Sequence, residues 1–268
     1  MKAAVVYFTG TGNTLRVGEV FKAYLENIGY DVDMVDITKH SSNLKDYDLF
    51  IAGTPTQNSV STFNMNKFIV KYISKNNNPK ARFITYTTHS WGTAFGHLTL
   101  KDFISVRGFQ VVGARAFIAP NNFYMFRKDE PKFEKEKFNQ TIRNIYDGVW
   151  SLMKSFSNGK IQIDQRSIIR KNLWYIRSIL TKYTVFSRFA KMMIKVDSNK
   201  CSKCKVCIKQ CPNRNILLTD NTIQFSNQCL ACARCLHVCP QNAYLLSNKS
   251  FEQYKGIQKP IIEFIYNY

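Results

Sequence analysis

Residues 3–14 read A-A-V-V-Y-F-T-G-T-G-N-T, an apolar run that leads into a loop of glycine, threonine and asparagine. The apolar run predicts a buried strand, and the helical spacing of apolar residues after Thr14 predicts a helix. Glycines permit tight turns and close approach of the backbone to a ligand, and the start of a helix offers unpaired N–H groups at the positive end of its dipole. The loop therefore suits a phosphate group.

Two common phosphate-binding motifs do not fit this loop. A P-loop requires G-x-x-x-x-G-K-[ST], but Asn13 follows Gly12 and no lysine is in reach. A dinucleotide-binding loop requires G-x-G-x-x-G, but Leu15 stands in the place of the third glycine. What remains is a set of neutral donors, namely the backbone N–H groups and the side chains of Thr9, Thr11, Asn13 and Thr14.

Residues 1 to about 157 alternate strand-like and helix-like segments, which predicts an open α/β fold with a parallel sheet. Strands are predicted at residues 2–8, 30–35, 47–53, 81–86 and 110–118. Helices are predicted at residues 14–27, 62–74, 93–106 and 131–156, where apolar residues recur three or four positions apart. In such sheets the ligand lies beyond the carboxyl ends of the strands, near the switch point between the first and third. Three loops therefore become candidates for one pocket.

The loop at residues 9–14 resembles the FMN phosphate loop of the flavodoxin family. The resemblance implies a flavodoxin-like, doubly wound, five-stranded parallel sheet of order 2-1-3-4-5, with FMN as the cofactor. The implied phosphate contacts are Thr9, Gly10, Thr11, Gly12, Asn13 and Thr14. The implied contacts to the flavin ring are Thr54, Pro55, Thr56, Gln57 and Asn58 after the third strand, and Thr88, His89, Ser90, Trp91 and Gly92 after the fourth. Trp91 is the expected stacking partner because aromatic faces pair with a flavin; the alternative for it is an ordinary half-buried aromatic.

All eight cysteines lie between residues 201 and 239. Residues 201–212 read C-S-K-C-K-V-C-I-K-Q-C-P and residues 229–240 read C-L-A-C-A-R-C-L-H-V-C-P, so C-x2-C-x2-C-x3-C-P occurs twice, 28 residues apart. In this motif three thiolates bind one [4Fe–4S] cluster and the fourth binds the other cluster. The predicted ligands are Cys201, Cys204, Cys207 and Cys239 for one cluster, and Cys229, Cys232, Cys235 and Cys211 for its twin. Structural zinc and disulfides are the alternatives.

This cysteine-rich segment resembles the bacterial two-cluster ferredoxins, which implies a small α+β domain with pseudo-twofold symmetry. It departs from their usual form because Lys205 and Ala233 stand where glycine often follows the second cysteine. A cation so close to a cluster favours the more negative reduced state, so Lys205 predicts that the two potentials differ. His237 lies inside the second motif, but four cysteines already complete each set; we expect it to be a surface or packing residue.

The sequence predicts four segments. They are a flavodoxin-like domain at residues 1–160, a basic linker at 161–196, a two-cluster ferredoxin domain at 197–249, and a tail at 250–268 that packs back on the body. In the linker an apolar stripe predicts a connecting helix; its residues are Ile169, Leu173, Ile176, Leu180 and Tyr183. This helix either packs on the domains or offers a docking surface to an acidic partner or a membrane face.

The formal net charge of the 268-residue chain is +20. Two oxidised clusters and one flavin phosphate each remove about two charges, which still leaves the protein basic. A basic surface attracts acidic proteins, anionic lipid or nucleic acid; since no nucleic-acid-binding spacing is present, we expect redox proteins with acidic docking surfaces. No apolar run approaches the roughly 20 residues that cross a bilayer, and the N-terminal run lacks a basic n-region, so a cytoplasmic location is expected.

Over nearly its whole length the chain resembles ferredoxin–flavodoxin fusion proteins of anaerobic bacteria. FMN exchanges one or two electrons and each cluster exchanges one, so the combination predicts an electron-transfer protein without catalytic residues of its own. The alternative is an FMN-dependent reductase of a small molecule, fed by its own ferredoxin domain. Its acid would be His89, or Tyr124 in a pocket wall formed with Phe123 and Phe126, of which only Tyr124 can donate a proton. A redox or iron sensor is a third class. The sequence leaves enzyme activity and oligomeric state open.

Overall fold

The computed structural model describes residues 1–57, 59–90, 95–122, 134–164, 188, 192–254 and 256–266. The chain forms two compact units. The first comprises Met1–Pro120, Phe133–Ser178 and Ile257–Tyr268, and the second comprises Asn121–Lys132 and Ile179–Gly256. The apolar stripe predicted for the linker helix lies outside the described residues, and the domain boundaries predicted from the sequence stay predictions.

A parallel sheet of order β2-β1-β3-β4-β5-β6 forms the centre of the first unit. Its strands are β1 (Lys2–Tyr7), β2 (Asp31–Asp36), β3 (Leu49–Pro55), β4 (Arg82–His89), β5 (Gln110–Ile118) and β6 (Gln162–Ile163). The first five strands have the predicted order 2-1-3-4-5, which confirms the flavodoxin-like fold. The sequence did not predict β6, because two residues are too few to show an alternating pattern.

Helices cover both faces of this sheet, and the central strands are therefore buried on both sides. They are α1 (Asn13–Asn27), α2 (Phe63–Tyr72), α3 (Gly96–Ser105) and α4 (Lys135–Ser157). Ala3 to Val6 of β1 are fully buried, as the unbroken apolar run predicts. Within the described ranges, none of the helices combines the length and the apolar character needed to span a membrane.

Tyr86 of β4 fixes the start of α1 above the sheet. Its hydroxyl group donates a hydrogen bond of 2.9 Å to the carbonyl oxygen of Thr14. Its ring occupies space left by Gly53 of β3, since a Cβ atom there would lie 1.9 Å from the Tyr86 Cζ atom. Burial raises the pKa of Tyr86 well above its ordinary value, so the phenol remains protonated and able to donate.

The second unit consists of two similar halves, displaced by 28 residues along the chain. Two antiparallel pairs are formed by β7 (Ile194–Val196) with β10 (Tyr244–Leu246), and by β8 (Ile216–Thr219) with β9 (Thr222–Phe225). Two short helices lie within the cysteine motifs, α5 (Val206–Gln210) and α6 (Arg234–Val238). Each element of the first half recurs 28 residues later, as expected for a duplicated domain.

The C-terminal segment belongs to the first unit, where α7 (Ile261–Tyr266) contacts α1 and α4. Ile257 and Ile261 are buried in the core of that unit. Arg16 of α1 donates to the carbonyl oxygens of Ile257 and Gln258 at 2.9 and 2.8 Å. Apolar burial and these hydrogen bonds together hold the segment against α1.

Candidate cofactor sites

The loop between β1 and α1 has the backbone geometry of an anion site. Gly12 precedes α1 with φ 108° and ψ −28°, and as a glycine it has no side chain with which to cap this helix. The Thr9 Oγ1 atom accepts a hydrogen bond of 2.9 Å from the Gly12 N–H group, which closes the loop into a tight turn. The amides at the start of α1 can therefore contribute to binding an anion.

Two of the predicted phosphate contacts have side chains that anchor the loop. The Asn13 side-chain amide donates to the Pro120 carbonyl oxygen at 2.8 Å, and the Thr14 and Thr88 hydroxyl groups are hydrogen-bonded to each other at 2.8 Å. Asn13 and Thr14 are also buried. These side chains therefore fix the loop to the ends of β4 and β5, while the backbone N–H groups are the better placed donors for a phosphate.

The nearest cation along the chain is already paired. The Arg16 guanidinium group makes an ion pair of 2.9 Å with Glu19, in addition to its bonds to the C-terminal segment. Glu19 neutralises much of its charge, and the geometry holds the guanidinium group in place. A phosphate in this loop would then be bound chiefly by neutral donors, as the composition of residues 9–14 predicts.

The loop after β3 contains a buried hydroxyl group without a hydrogen-bond partner among the described residues, the Oγ1 atom of Thr56. The Thr56 N–H group donates to the Thr88 carbonyl oxygen at 2.9 Å, which ties this loop to the end of β4. The Thr54 hydroxyl group is buried against that of Thr62 and belongs to the protein core. A buried hydroxyl group without a partner carries a desolvation cost that a ligand can relieve, so Thr56 fits a polar atom of a flavin.

The structure brings the three predicted loops to one edge of the sheet. Besides the bonds through Thr88, the Phe8 N–H group donates to the Gly53 carbonyl oxygen at 2.9 Å. The His89 carbonyl oxygen accepts from Ala119 N–H at 2.8 Å, which adds the segment after β5. Of the predicted ring contacts, Asn58, Trp91 and Gly92 lie outside the described residues, as do Phe123, Tyr124 and Phe126.

Sequence reasoning missed the residues that support this edge. The sequence signal for Tyr86 was a tyrosine among threonines within a buried strand, in T-Y-T-T at residues 85–88. The carbonyl oxygen of Pro120, which accepts from Asn13, left no such signal.

The cysteines of the second unit form two groups, each of which combines both motifs. A cavity is lined by Cys201, Cys204, Cys207 and Cys239. In the other group, Cys211 lies close enough to Cys229, Cys232 and Cys235 to contribute to the raised pKa values of their thiols, and Cys207 of the first group contributes to that of Cys235 as well. The structure thus brings together the two sets predicted from the spacing, and their role as cluster ligands stays a prediction.

Backbone N–H groups point at several of these sulfur atoms. Ala231 N–H donates to the Cys229 Sγ atom at 3.3 Å. In the two repeats, Asn215 N–H donates to Cys211 and Ala243 N–H donates to Cys239, at 3.2 and 3.4 Å. Donors of this kind stabilise negative charge on sulfur, both in a thiolate and in a reduced cluster.

A left-handed backbone between the cysteines recurs in both motifs. The residues concerned are Lys203, Lys205, Ala231 and Ala233, with φ of 55°, 62°, 47° and 58°. Lys205 and Ala233 therefore adopt the conformation that glycine adopts most readily, at a cost of roughly 1–2 kcal/mol each. The repeated conformation shows that the backbone geometry is duplicated along with the cysteines.

Burial raises the pKa values of thiols in both groups, including that of Cys207 in the first. Cys204 is exposed, and the Val206 N–H group lowers its pKa below the ordinary value. Burial raises the pKa of Cys229 to about 11 and also raises the pKa values of Cys232 and Cys235. Thiolates in the second group thus need a compensating positive charge, which iron would supply if a cluster were bound there.

The alternatives of disulfides and zinc fit this geometry less well. All eight cysteines, each of which the structure describes, are free thiols. Among the described residues, no three Cys, His, Asp or Glu side chains are grouped so as to hold a single metal ion. A tetrahedral zinc ion would draw its sulfur ligands to about 3.8 Å from one another.

His237 uses both ring nitrogen atoms in hydrogen bonds within the second unit. Its Nδ1 atom accepts from the Tyr254 N–H group at 3.0 Å, so Nε2 carries the proton and donates to the Asn122 carbonyl oxygen at 2.9 Å. Burial lowers the pKa of His237, which keeps the ring neutral. These contacts agree with the predicted packing role.

Residues 190–244 match the family model described as "4Fe-4S dicluster domain". Together with the eight cysteines, this match implies two [4Fe–4S] clusters. The match covers both cysteine motifs and stops short of the first unit, whose flavodoxin-like fold is shown by its own strand order. The chain has no match among curated proteins.

Several solved structures resemble the chain over its flavodoxin-like part. Rubredoxin oxygen:oxidoreductase from the anaerobe Desulfovibrio gigas is 14% identical, with a TM-score of 0.39. The match covers 57% of this chain and only 37% of that protein. Two-electron reduced Megasphaera elsdenii flavodoxin is 21% identical, with 42% of this chain and 85% of that one covered and a TM-score of 0.35. A flavodoxin from the domain Archaea is 18% identical, with 57% and 99% covered and a TM-score of 0.39. At these TM-scores the similarities carry no further argument.

Proposed function

We propose that the chain is an electron-transfer protein that relays electrons between FMN and two [4Fe–4S] clusters. A flavin exchanges one or two electrons and a cluster exchanges one, so the pair couples one-electron partners to two-electron partners. The observation that carries the proposal is the grouping of the eight cysteines into two sets, each completed by a thiol of the other motif, in one chain with a flavodoxin-like sheet.

The residues of each site follow from the contacts described above. The first amides of α1 and the turn closed by Thr9 and Gly12 would hold the flavin phosphate. Thr56 would offer its buried hydroxyl group to the ring. The two cysteine sets would hold the clusters, with backbone N–H groups stabilising the sulfur charge.

The cofactor content tests the first half of this proposal. Protein purified without oxygen should contain one FMN, eight iron atoms and eight sulfide ions per chain if each cysteine set holds a four-iron cluster. Cys235→Ala should lose about half of the iron and sulfide while it retains FMN. Zinc in place of iron, or a loss of FMN together with the cluster, would contradict the assignment.

The relay itself is tested by supplying electrons from a reduced ferredoxin. We expect reduction of FMN in the wild type, followed by its absorbance in a stopped-flow experiment, and a rate at least about tenfold lower in Cys235→Ala, because the removal of a cluster interrupts the path. A Cys235→Ala protein that reduces its FMN as fast as the wild type would show that electrons reach the flavin without the clusters.

A further inference from the structure

The two halves of the second unit share one backbone but differ sharply in charge. Five exposed lysines surround the first cysteine motif; they are Lys195, Lys200, Lys203, Lys205 and Lys209. The residues 28 positions later carry no such charge; they are Ile223, Gln228, Ala231, Ala233 and His237. The duplication therefore does not explain the lysines, which belong to one half alone.

Solvent reaches the two motifs unequally. Of the eight cysteines only Cys204 is exposed, and its neighbours Lys203 and Lys205 are exposed as well. At the equivalent positions of the second motif, Ala231 and Ala233 have relative exposures of only 6% and 4%. Cys204 thus brings one edge of the first cysteine set to the surface between Lys203 and Lys205, although Cys207 of the same set is buried.

Other segments of the same unit hold the second motif. His237 is hydrogen-bonded to Asn122 and to Tyr254, as described above. The Gln253 side-chain amide donates to the carbonyl oxygens of Leu236 and Cys239, at 2.9 and 2.8 Å. These contacts occupy the end of α6, whereas α5 presents Lys209 to solvent.

An open groove lies beside the first cysteine set. Lys195 and Lys203 border it, Cys201 lies in its wall, and Met192, Ile223 and Phe225 provide apolar surface. Met192 is 71% exposed. The only acid between residues 192 and 219 is Asp197, which accepts a hydrogen bond from the Asn199 N–H group at 3.0 Å. The groove therefore combines an apolar floor with a positive rim.

We infer that this lysine face, defined as the five lysines together with the groove, is the docking surface for an acidic iron–sulfur electron-transfer protein. The cluster that would exchange electrons with this partner is the one that Cys201, Cys204, Cys207 and Cys239 would hold. The inference rests on the proposed function. The cluster that this set would hold would accept one electron from the reduced partner, with no bond broken and no proton moved. The positive rim complements an acidic partner, and the apolar floor fits the dry centre of a protein interface.

A charge-matched pair of variants tests the lysine face. Lys203→Gln/Lys205→Gln removes two charges from it, and the control Lys80→Gln/Lys160→Gln removes two exposed charges from the first unit. The probe is an acidic two-cluster ferredoxin, titrated calorimetrically into protein that contains clusters but no FMN. At low ionic strength we expect the first variant to bind about threefold to tenfold more weakly than the wild type and the control to stay within about twofold. High salt should remove the difference.

Lys203 and Lys205 flank Cys204, so weaker binding by the first variant could also result from loss of a cluster. A second variant distinguishes these two causes. Met192→Ala/Lys195→Gln alters the groove at residues that are not adjacent to any cysteine, and iron analysis checks that the clusters are intact. Weaker binding by this variant supports the inference. Equal affinity of both face variants and the control would overturn it.

Two further outcomes separate the classes of partner and the two proposals. The same variants are also tested for binding to duplex DNA and to anionic vesicles. If either of these binds more tightly than the ferredoxin, and the lysine substitutions weaken that binding equally, the assignment of a protein partner is overturned. Because docking is measured without FMN, intact docking beside a failed flavin relay would refute only the proposed function. An intact relay with docking independent of the lysines would refute only this inference.

Discussion

Replacement of Gly12 by alanine isolates the contribution of the loop backbone to flavin binding. Gly12 has φ 108° and ψ −28°, a conformation that residues with a Cβ atom adopt only with strain. A Cβ atom at this position would meet no other atom within 4 Å, so Gly12→Ala creates no steric clash. Its whole effect should therefore be the conformational cost of the alanine backbone.

The expected loss of FMN affinity can be calculated from this conformational cost alone. The strain of such a conformation is about 1–3 kcal/mol for a residue other than glycine. If the loop relaxes to avoid the strain, FMN must restore the bound geometry when it binds. Since 1.4 kcal/mol corresponds to a factor of ten, the dissociation constant for FMN should rise by about fivefold to 150-fold.

Gly29, just beyond the other end of α1, provides a matched control. It also has a positive φ of 85° and open space where a Cβ atom would stand, but it lies far from the loop along the same helix. Gly29→Ala should lower the free energy of unfolding by a similar amount and leave FMN affinity unchanged. Fluorescence quenching of FMN measures affinity, and urea unfolding measures stability. Equal FMN affinities of the two variants would refute the role of the Gly12 backbone.

Three other substitutions test separate parts of the structure. Thr56→Val should leave the free energy of unfolding unchanged or raise it by up to about 1 kcal/mol, because the hydroxyl group has no partner among the described residues, and should weaken FMN binding; undiminished FMN affinity would exclude a ring contact. Lys205→Gly should lower the potential of one cluster by on the order of 30 mV, while Lys205→Arg should not, as followed by electron paramagnetic resonance during a redox titration. The Tyr47 hydroxyl group donates to Asp33 at 2.6 Å and lowers the pKa of that carboxyl group, so its stabilisation is present above the unfolded pKa of about 4 and is lost as pH falls through the folded value. Tyr47→Phe should therefore cost about 1 kcal/mol in urea unfolding near neutral pH and much less once Asp33 is protonated; an equal loss in both conditions would contradict this.

The fold was predictable because long, regular segments carry it. The run at residues 2–8 has no plausible alternative to a buried strand, and it appears as β1 (Lys2–Tyr7). The alternation of strands and helices then permits few topologies, since parallel crossovers place the helices on the two faces. Short elements escape such reasoning, as β6 (Gln162–Ile163) shows.

The candidate flavin site was predictable in position more than in detail. A parallel sheet brings the carboxyl ends of its strands to one edge, which places the three loops together whatever their composition. The partners of individual side chains depend on distant segments. Asn13 bonds to Pro120 and Thr14 to Thr88, which are 107 and 74 residues away, and nothing in residues 9–14 indicates that these side chains serve the loop itself.

In the cysteine-rich unit, the spacing of the cysteines predicted how the thiols are grouped but not how charge is distributed around them. The grouping of thiols depends on the backbone, which the 28-residue repeat reproduces down to the left-handed residues at Lys205 and Ala233. Backbone N–H groups and sulfur atoms form the candidate cluster sites, so the side chains between the cysteines are free to diverge. They have diverged toward charge in one half and toward burial in the other. The duplicated backbone therefore does not account for the lysines, and under the docking proposal their charge would serve recognition of an acidic partner.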